Sequence, residues 1–263
     1  MTQTSNWFLL WDKEPLSAET NMARDEFFFD ACHRKKMGIL RLYSWKNPTF
    51  SIGVSQRFLK AVNIEFISNH NCSYVRRITG GKAVLHHNEI TYSVISSEDF
   101  FFKNNDLYRS YLLISRILVQ AFQAIGLDAY LSQGSPSSLS KSNNPCFSFP
   151  TPNELEIGGK KIVGSAQKRD KIALLQHGSI PISMDYDLYA GGTRNSPEFI
   201  RNSMTTLSDV TTHSGEDLSR ALIDCFQSTL GVRLEAYEFN PEDSNILGEI
   251  EKKYASYDWN HRI

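Results

Sequence analysis

The sequence predicts an α+β fold, a mixed and largely antiparallel sheet with flanking helices, and three observations carry that reading. Short runs rich in β-branched and aromatic residues follow one another closely between Ile39 and Ile95. Apolar residues recur at steps of three and four from Leu107 to Ile125. Strands and helices are interspersed without a regular βαβ rhythm, which disfavours a doubly wound sheet or an α/β barrel.

The first helix is expected over Asn21 to Lys36, behind a Thr20 or Asn21 cap. ILRLYSW, TFSIGVS, CSYVRRI and EITYSVI, each bounded by Gly, Pro, Asn or Lys, then read as strands of one sheet, and their closeness favours antiparallel pairing. Leu107, Tyr111, Ile114, Leu118, Phe122 and Ile125 give the strongest helical stripe, with Gly126 as its stop. The Ser-, Asn- and Pro-rich stretch from Ser132 to Pro145 reads as a loop that delivers Cys146 to its neighbours. ELEIGGKKIVG reads as a hairpin around Gly158 and Gly159, KIALLQHGSIPI as a further strand, and Leu218 to Leu230 and Ser244 to Tyr254 as closing helices.

A chain of 263 residues, 41% hydrophobic and 22% charged, can bury a sizeable core, and no linker divides it, so one domain over 1–263 is expected. A net charge of -1 supplies no broad positive field, which argues against nonspecific nucleic-acid binding. The longest apolar stretch, YLLISRILVQAFQAIGL, is interrupted by Arg116 and Gln120 and is too polar to span a bilayer. The N-terminal apolar run meets Asp12 and Lys13 too soon for a secretory signal, so a cytoplasmic protein without membrane partners is expected. Cysteines at 32, 72, 146 and 225 form no CxxC pair and read as free thiols.

Gly80, Gly81 and Lys82 invite a phosphate-loop reading, but Arg76 and Ala83 stand where that motif needs Gly and Ser or Thr. Two readings of the turn stay open: a plain hairpin turn, or a cradle of backbone N–H groups beside Arg76, Arg77 and Lys82 facing an anionic or carbonyl-bearing ligand. His86 and His87 are adjacent, so on a strand they face opposite sides and cannot share one metal ion, and no metal site is expected. Cys146 can be a small buried hydrophobe, as expected of Cys32, Cys72 and Cys225, or a nucleophile held near a cation or base. Lys161 can be a solvated surface lysine or, flanked by Ile162 and Val163, a partly desolvated proton carrier.

NMARDE, LRLYSW, FSIGVSQ, RRITGGKAVLHHNEITYSV, PCFSFPTPNELEIGGKKIVGSAQ, LLQHGSI and EKKYASYDWN together resemble the lipoate/biotin protein ligase superfamily over nearly the whole chain. Within it the CF motif makes the chain look most like the cysteine-dependent, LipM-type octanoyltransferases. The resemblance implies a catalytic domain like that of biotin protein ligases and class II aminoacyl-tRNA synthetases, and no cofactor. Carried over by motif, Cys146 matches the acyl-accepting nucleophile and Lys161 the lysine before the small-residue run. Arg76, Thr79, Gly80, Gly81 and His86 match the pocket motif. Arg77, Lys82, Ala83, Gly164, Ser165 and Ala166 complete the implied substrate contacts. Lys82 and His87 depart from relatives that often carry Gly or Arg, and Asp, at those places.

The implied reaction takes octanoyl from acyl carrier protein onto Cys146, then onto a lipoyl-domain lysine such as that of the glycine cleavage H protein, with Lys161 moving the proton. Backbone N–H groups of Gly80 to Ala83 or of Gly164 to Ala166 would hold the oxyanion. Leu42, Tyr43 and Val84 would line the acyl tunnel, and Arg57, Lys60, Arg169 and Lys171 are the basic residues available to an acidic carrier. The protein is expected to act as a monomer. Two alternatives stand beside this reading: an ATP-dependent lipoate–protein ligase, and a noncatalytic acyl-binding module.

Overall fold

The computed structural model describes residues 6–101, 107–133 and 153–262. Its centre is a six-stranded sheet of β1 (Trp7–Trp11), β2 (Gly38–Tyr43), β6 (Asn88–Ser96), β10 (Gly164–Arg169), β11 (Leu174–Ser183) and β12 (Leu234–Ala236), in the order β10-β11-β6-β2-β1-β12. From β10 to β2 the neighbours run antiparallel; β2, β1 and β12 run parallel. A second sheet orders β4 (Ser73–Arg76), β3 (Thr49–Ile52) and β5 (Val84–His86), and a third orders β7 (Ala129–Leu131), β8 (Leu155–Ile157) and β9 (Lys160–Lys161).

Side chains alternate across the strands of the large sheet, and each face takes its own helices. Leu40, Leu42, Tyr92 and Val94 pack with α4 (Leu107–Ala124) and α8 (Gly215–Leu230). Ile39, Tyr43, Ile95 and Leu175 pack instead with α1 (Ala18–Arg34) and α9 (Pro241–Ala255). The small sheet has its own core with α2 (Phe58–Ala61), α3 (Ile64–Asn69), α5 (Tyr186–Thr193) and α6 (Pro197–Ser203). Two short helices, α7 (Leu207–Val210) and α10 (Tyr257–His261), pack beside β11 and β4.

Several expectations are corrected. The four early strand runs do not share one sheet: ILRLYSW and EITYSVI enter the large sheet, while TFSIGVS and CSYVRRI form the small one. There β3 and β4 pair in parallel, because α2 and α3 provide the crossover that a parallel return requires. The first helix starts at Ala18, since Ser17 Oγ accepts from Thr20 N at 3.2 Å and caps it. Asn21 thus lies inside the helix, where its amide donates to Ser44 O at 3.0 Å. The hairpin forms as expected, with Gly158 at φ 57° and Gly159 at φ 77°, and α4 ends before Gly126 at φ 82°.

Candidate functional site

A cavity lies where the antiparallel half of the large sheet meets the small sheet. Gly164, Ser165 and Ala166 of β10, His177, Gly178 and Ser179 of β11, Thr91 of β6 and Tyr43 of β2 line it from one side. Ser51 of β3, Val84 and His86 of β5 and Arg77 line it from the other, with Met22 of α1 and Trp45 completing the wall.

Two glycines permit close approaches in the backbone around it. A Cβ on Gly178 would sit 2.5 Å from Tyr92 Cε1 and 2.9 Å from Ser165 Oγ, so only glycine lets β11 pass between them. A Cβ on Gly53 would sit 2.0 Å from the carbonyl oxygen of Gly81, which brings the Gly80–Gly81 turn against the end of β3. Arg77 fixes that turn from within: its Nη2 donates to Gly80 O at 2.7 Å and Lys82 O at 2.8 Å, and its Nη1 to Ser51 O at 2.9 Å. Gly81 itself adopts φ 90°, a conformation that glycine takes without strain.

Polar groups beneath the cavity satisfy one another. His177 Nδ1 lies 2.8 Å from Asp25 Oδ2 and His177 Nε2 2.7 Å from Thr79 Oγ1. Since a carboxylate can only accept, Nδ1–H donates to Asp25 and Nε2 accepts the Thr79 hydroxyl, a tautomer assigned from the network. Burial lowers the pKa of His177 below its ordinary value, against the opposing pull of Asp25. Burial acts to raise Asp25, but the His177 hydrogen bond and the Arg41 charge overcome it and its carboxyl ends below the usual range. Arg41 Nη1 donates to Asp25 Oδ1 at 2.9 Å, and Ser93 Oγ donates to the same oxygen at 2.9 Å. On the opposite wall His86 Nδ1 lies 2.7 Å from Glu89 Oε1 and its Nε2 2.7 Å from Ser51 Oγ.

Lys161 sits in β9, three residues before the first cavity-lining residue of β10. It is buried, and its Nζ donates to Glu154 Oε1 at 2.5 Å. Glu154 is buried as well, and its Oε2 has no hydrogen-bond partner among the described residues. The solvated-surface reading of Lys161 is therefore excluded. Its backbone is clamped from both sides, by pairing with Glu156 and by Thr205 N donating to Lys161 O at 2.9 Å.

Of the residues singled out in the sequence, Arg77, His86, Gly164, Ser165 and Ala166 line the cavity together, joined by Tyr43 and Val84. Thr79, Gly80, Gly81, Lys82 and Ala83 do not line it; Thr79 supports His177 from behind, and the turn carbonyls hold Arg77. Arg76 turns away altogether: its guanidinium donates to Asn260 O, Gly53 O and Gln56 O, joining α10 to the loop after β3. Leu42 packs on the opposite face of the sheet with α4 and α8. Cys146 and most of the Ser132 to Pro145 loop lie outside the described residues. Cys32, Cys72 and Cys225 are free, and burial raises the pKa of each, Cys32 to about 12.

Asp25, Glu89, Glu154, Ser51, Trp45 and His177 are the site residues that pattern reading did not single out. Asp25 offered one signal, a lone acid on the apolar side of its helix; Glu154 offered none, because its partner is set by the β8–β9 turn. Among the described residues no three His, Cys, Asp or Glu side chains gather as metal ligands, and no helix is long and apolar enough to cross a membrane.

Residues 17–227 match the model of the lipoyl protein ligase A/B catalytic domain. The octanoyltransferase LipM of Kyrpidia tusciae is 36% identical, with 94% of this chain and 95% of that protein covered. The octanoyltransferase LipM of Bacillus subtilis is 33% identical, with 99% of each covered. Among solved structures, a lipoate-protein ligase A bound with ATP superposes at a TM-score of 0.81 and 23% identity over 98% of this chain and 99% of that one. A bi-partite lipoate protein ligase of Thermoplasma acidophilum superposes at 0.79 and 22% identity, over 98% of this chain and 96% of that one. These structures share the α+β fold described above.

Proposed function

The chain belongs to the lipoyl protein ligase A/B catalytic-domain family, and from that premise we propose that it is an octanoyltransferase working through an acyl thioester on Cys146. The observation that carries the reading is the likeness, over nearly the entire chain and at 31–36% identity, to proteins named octanoyltransferase. The same observation favours it over an ATP-dependent ligase, whose solved representatives are 22–23% identical.

The donor is octanoyl-acyl carrier protein. The thiolate of Cys146 attacks the thioester carbonyl; the new S–C bond forms, the bond to the phosphopantetheine sulfur breaks, and the octanoyl group resides on the enzyme. The proton given up by the thiol passes to the Lys161–Glu154 pair and from there to the leaving sulfur. A lipoyl-domain lysine, that of the glycine cleavage H protein, then attacks as its neutral amine. Its C–N bond replaces the C–S bond, and the displaced proton returns through the same pair to Cys146. Thioester exchange is nearly balanced and thioester aminolysis runs downhill, so neither half requires ATP.

Two features support Lys161 in this role. It is buried and hydrogen-bonded to the buried Glu154, and it stands on a strand fixed by β-pairing and by Thr205. Gly164 to Ala166, which begin three residues after it, line the cavity while Gly80 to Ala83 do not, which favours this segment as the oxyanion contact. The acyl chain enters the cavity, where the polar groups of the wall are engaged with each other and carbon is left to face the ligand.

The test is transfer itself: purified protein, octanoyl-acyl carrier protein and apo H protein, without ATP, followed by the intact mass of the H protein. Octanoylation of the H protein is the expected result. Modification that requires free lipoate and ATP would establish the ligase instead, and carrier binding without any transfer would establish a binding module.

A further inference from the structure

We propose that Trp45, stacked on His86, is the end stop of the acyl cavity and limits the chain it accepts to about eight carbons. The inference rests on the octanoyl-transfer reading for the direction in which the chain enters.

Sheet order gives that direction. The reacting end belongs beside Lys161 and β10, and the cavity runs from β10 across β11 and β6 to β2. Three strand spacings make that path roughly 14 Å between the outer backbones. Tyr43 and Trp45 occupy its far end and shorten it with their rings. An extended chain advances roughly 1.25 Å per bond, so the seven bonds of eight carbons reach roughly 9 Å, which lies within that span.

Trp45 is built to stay in place. Its indole Nε1 donates to Thr91 Oγ1 at 2.8 Å, anchoring it to the large sheet. Its face stacks on His86 of the small sheet, with ring centroids 4.1 Å apart and planes at 13°. The two anchors share a third group, because Thr91 Oγ1 and His86 Nδ1 both engage Glu89 Oε1. Ser179 Oγ donates to Glu89 Oε2 at 2.6 Å, which ties the carboxylate to β11. Trp45 and His86 are each 6% exposed, so together they form a buried strut between the two sheets at the end of the cavity. A flexible wall would yield to a longer chain. This one cannot move without breaking hydrogen bonds to buried partners.

The measurement is calorimetric binding of straight-chain fatty acids of six to fourteen carbons to the intact protein, which needs no turnover. For wild type, affinity should rise about fourfold per added methylene up to eight carbons, the increment that burial of one methylene supplies, and then level or fall. In Trp45→Ala the rise should continue to ten or twelve carbons, so that the ratio of twelve- to eight-carbon affinity grows at least tenfold over wild type. Met22→Ala, on the α1 side of the same wall, should shift the ratio in the same direction and carries the comparison if Trp45→Ala does not fold. A wild-type series that climbs unbroken to twelve carbons, or a folded Trp45→Ala with the wild-type profile, would overturn the proposal. Failure of octanoyl transfer to H protein with the chain-length break intact would leave the end stop standing and refute only the transferase.

Discussion

Lys161 and Glu154 face each other across the β8–β9 turn, Nζ to Oε1 at 2.5 Å, both buried. Two opposite charges taken out of water depend on each other more than a surface pair does. Removing one partner of such a pair costs about 3–5 kcal/mol, whereas replacing both with apolar groups of like volume is often neutral. Glu154→Gln and Lys161→Met should each lower the urea midpoint, and the double variant Glu154→Leu/Lys161→Met should recover much of the loss. On the chemical side, Lys161→Met should reduce octanoyl transfer by about 10²–10⁴, the range for a lost acid–base group. Lys161→Arg should not rescue it, because guanidinium does not give up its proton. Rescue by arginine would mean that charge alone is required.

Gly178 gives a steric prediction. Its substitution by alanine places a Cβ 2.5 Å from the buried Tyr92 ring and 3.0 Å from Gly164 O, behind the part of β11 that lines the cavity. Overpacking of this kind costs about 1–3 kcal/mol. Gly178→Ala should therefore unfold at lower urea and bind octanoate more weakly than wild type. Gly248→Ala, whose added Cβ would meet nothing within 4 Å beyond its own chain neighbours and helix backbone, is the control that should do neither. Unaltered octanoate affinity in a destabilised Gly178→Ala would show that this wall does not meet the chain.

His177 gives a prediction for the response to mild acid. Burial holds its pKa below 6.5, so at pH values between the folded and unfolded pKa the unfolded chain carries a proton that the folded one does not. The stability it contributes is present above about pH 6.5 and is lost as pH falls, with a slope of at most about 1.4 kcal/mol per pH unit for one proton. Protonation also removes the lone pair that accepts the Thr79 hydroxyl. Urea unfolding of wild type and of His177→Gln at pH 8, 6.5 and 5.5 separates this group from the other titrating residues. Wild type should lose stability more steeply than the variant over that span, and parallel slopes would assign the acid response elsewhere.

Much of this site could be read from the chain, and the parts that could not share a cause. Local signals placed α4, the Gly158–Gly159 hairpin and the closing helices, because periodicity and positive-φ glycines act over a few residues. Of the residues carried over by the pocket motif, His86 lines the cavity, while Arg77 and Gly164 to Ala166, read from the glycine turn and from the oxyanion alternatives, line it too. Sheet membership did not follow. The parallel pairing of β3 with β4 depends on a crossover that propensity does not register, and it separates Arg77, which enters the cavity wall, from Arg76, which faces Asn260. The partners of buried charge were also illegible: Asp25 meets His177 across 152 residues, and Glu89 gathers Thr91, His86 and Ser179 from three different strands.

The central claim, that the octanoyl group passes through a thioester on Cys146, is tested most directly by intact mass. Wild type and Cys146→Ala are each mixed with octanoyl-acyl carrier protein in the absence of ATP and acceptor. An octanoyl adduct on wild type alone, removed by neutral hydroxylamine, is the predicted result. No adduct on wild type, or an equal adduct on Cys146→Ala, would contradict it.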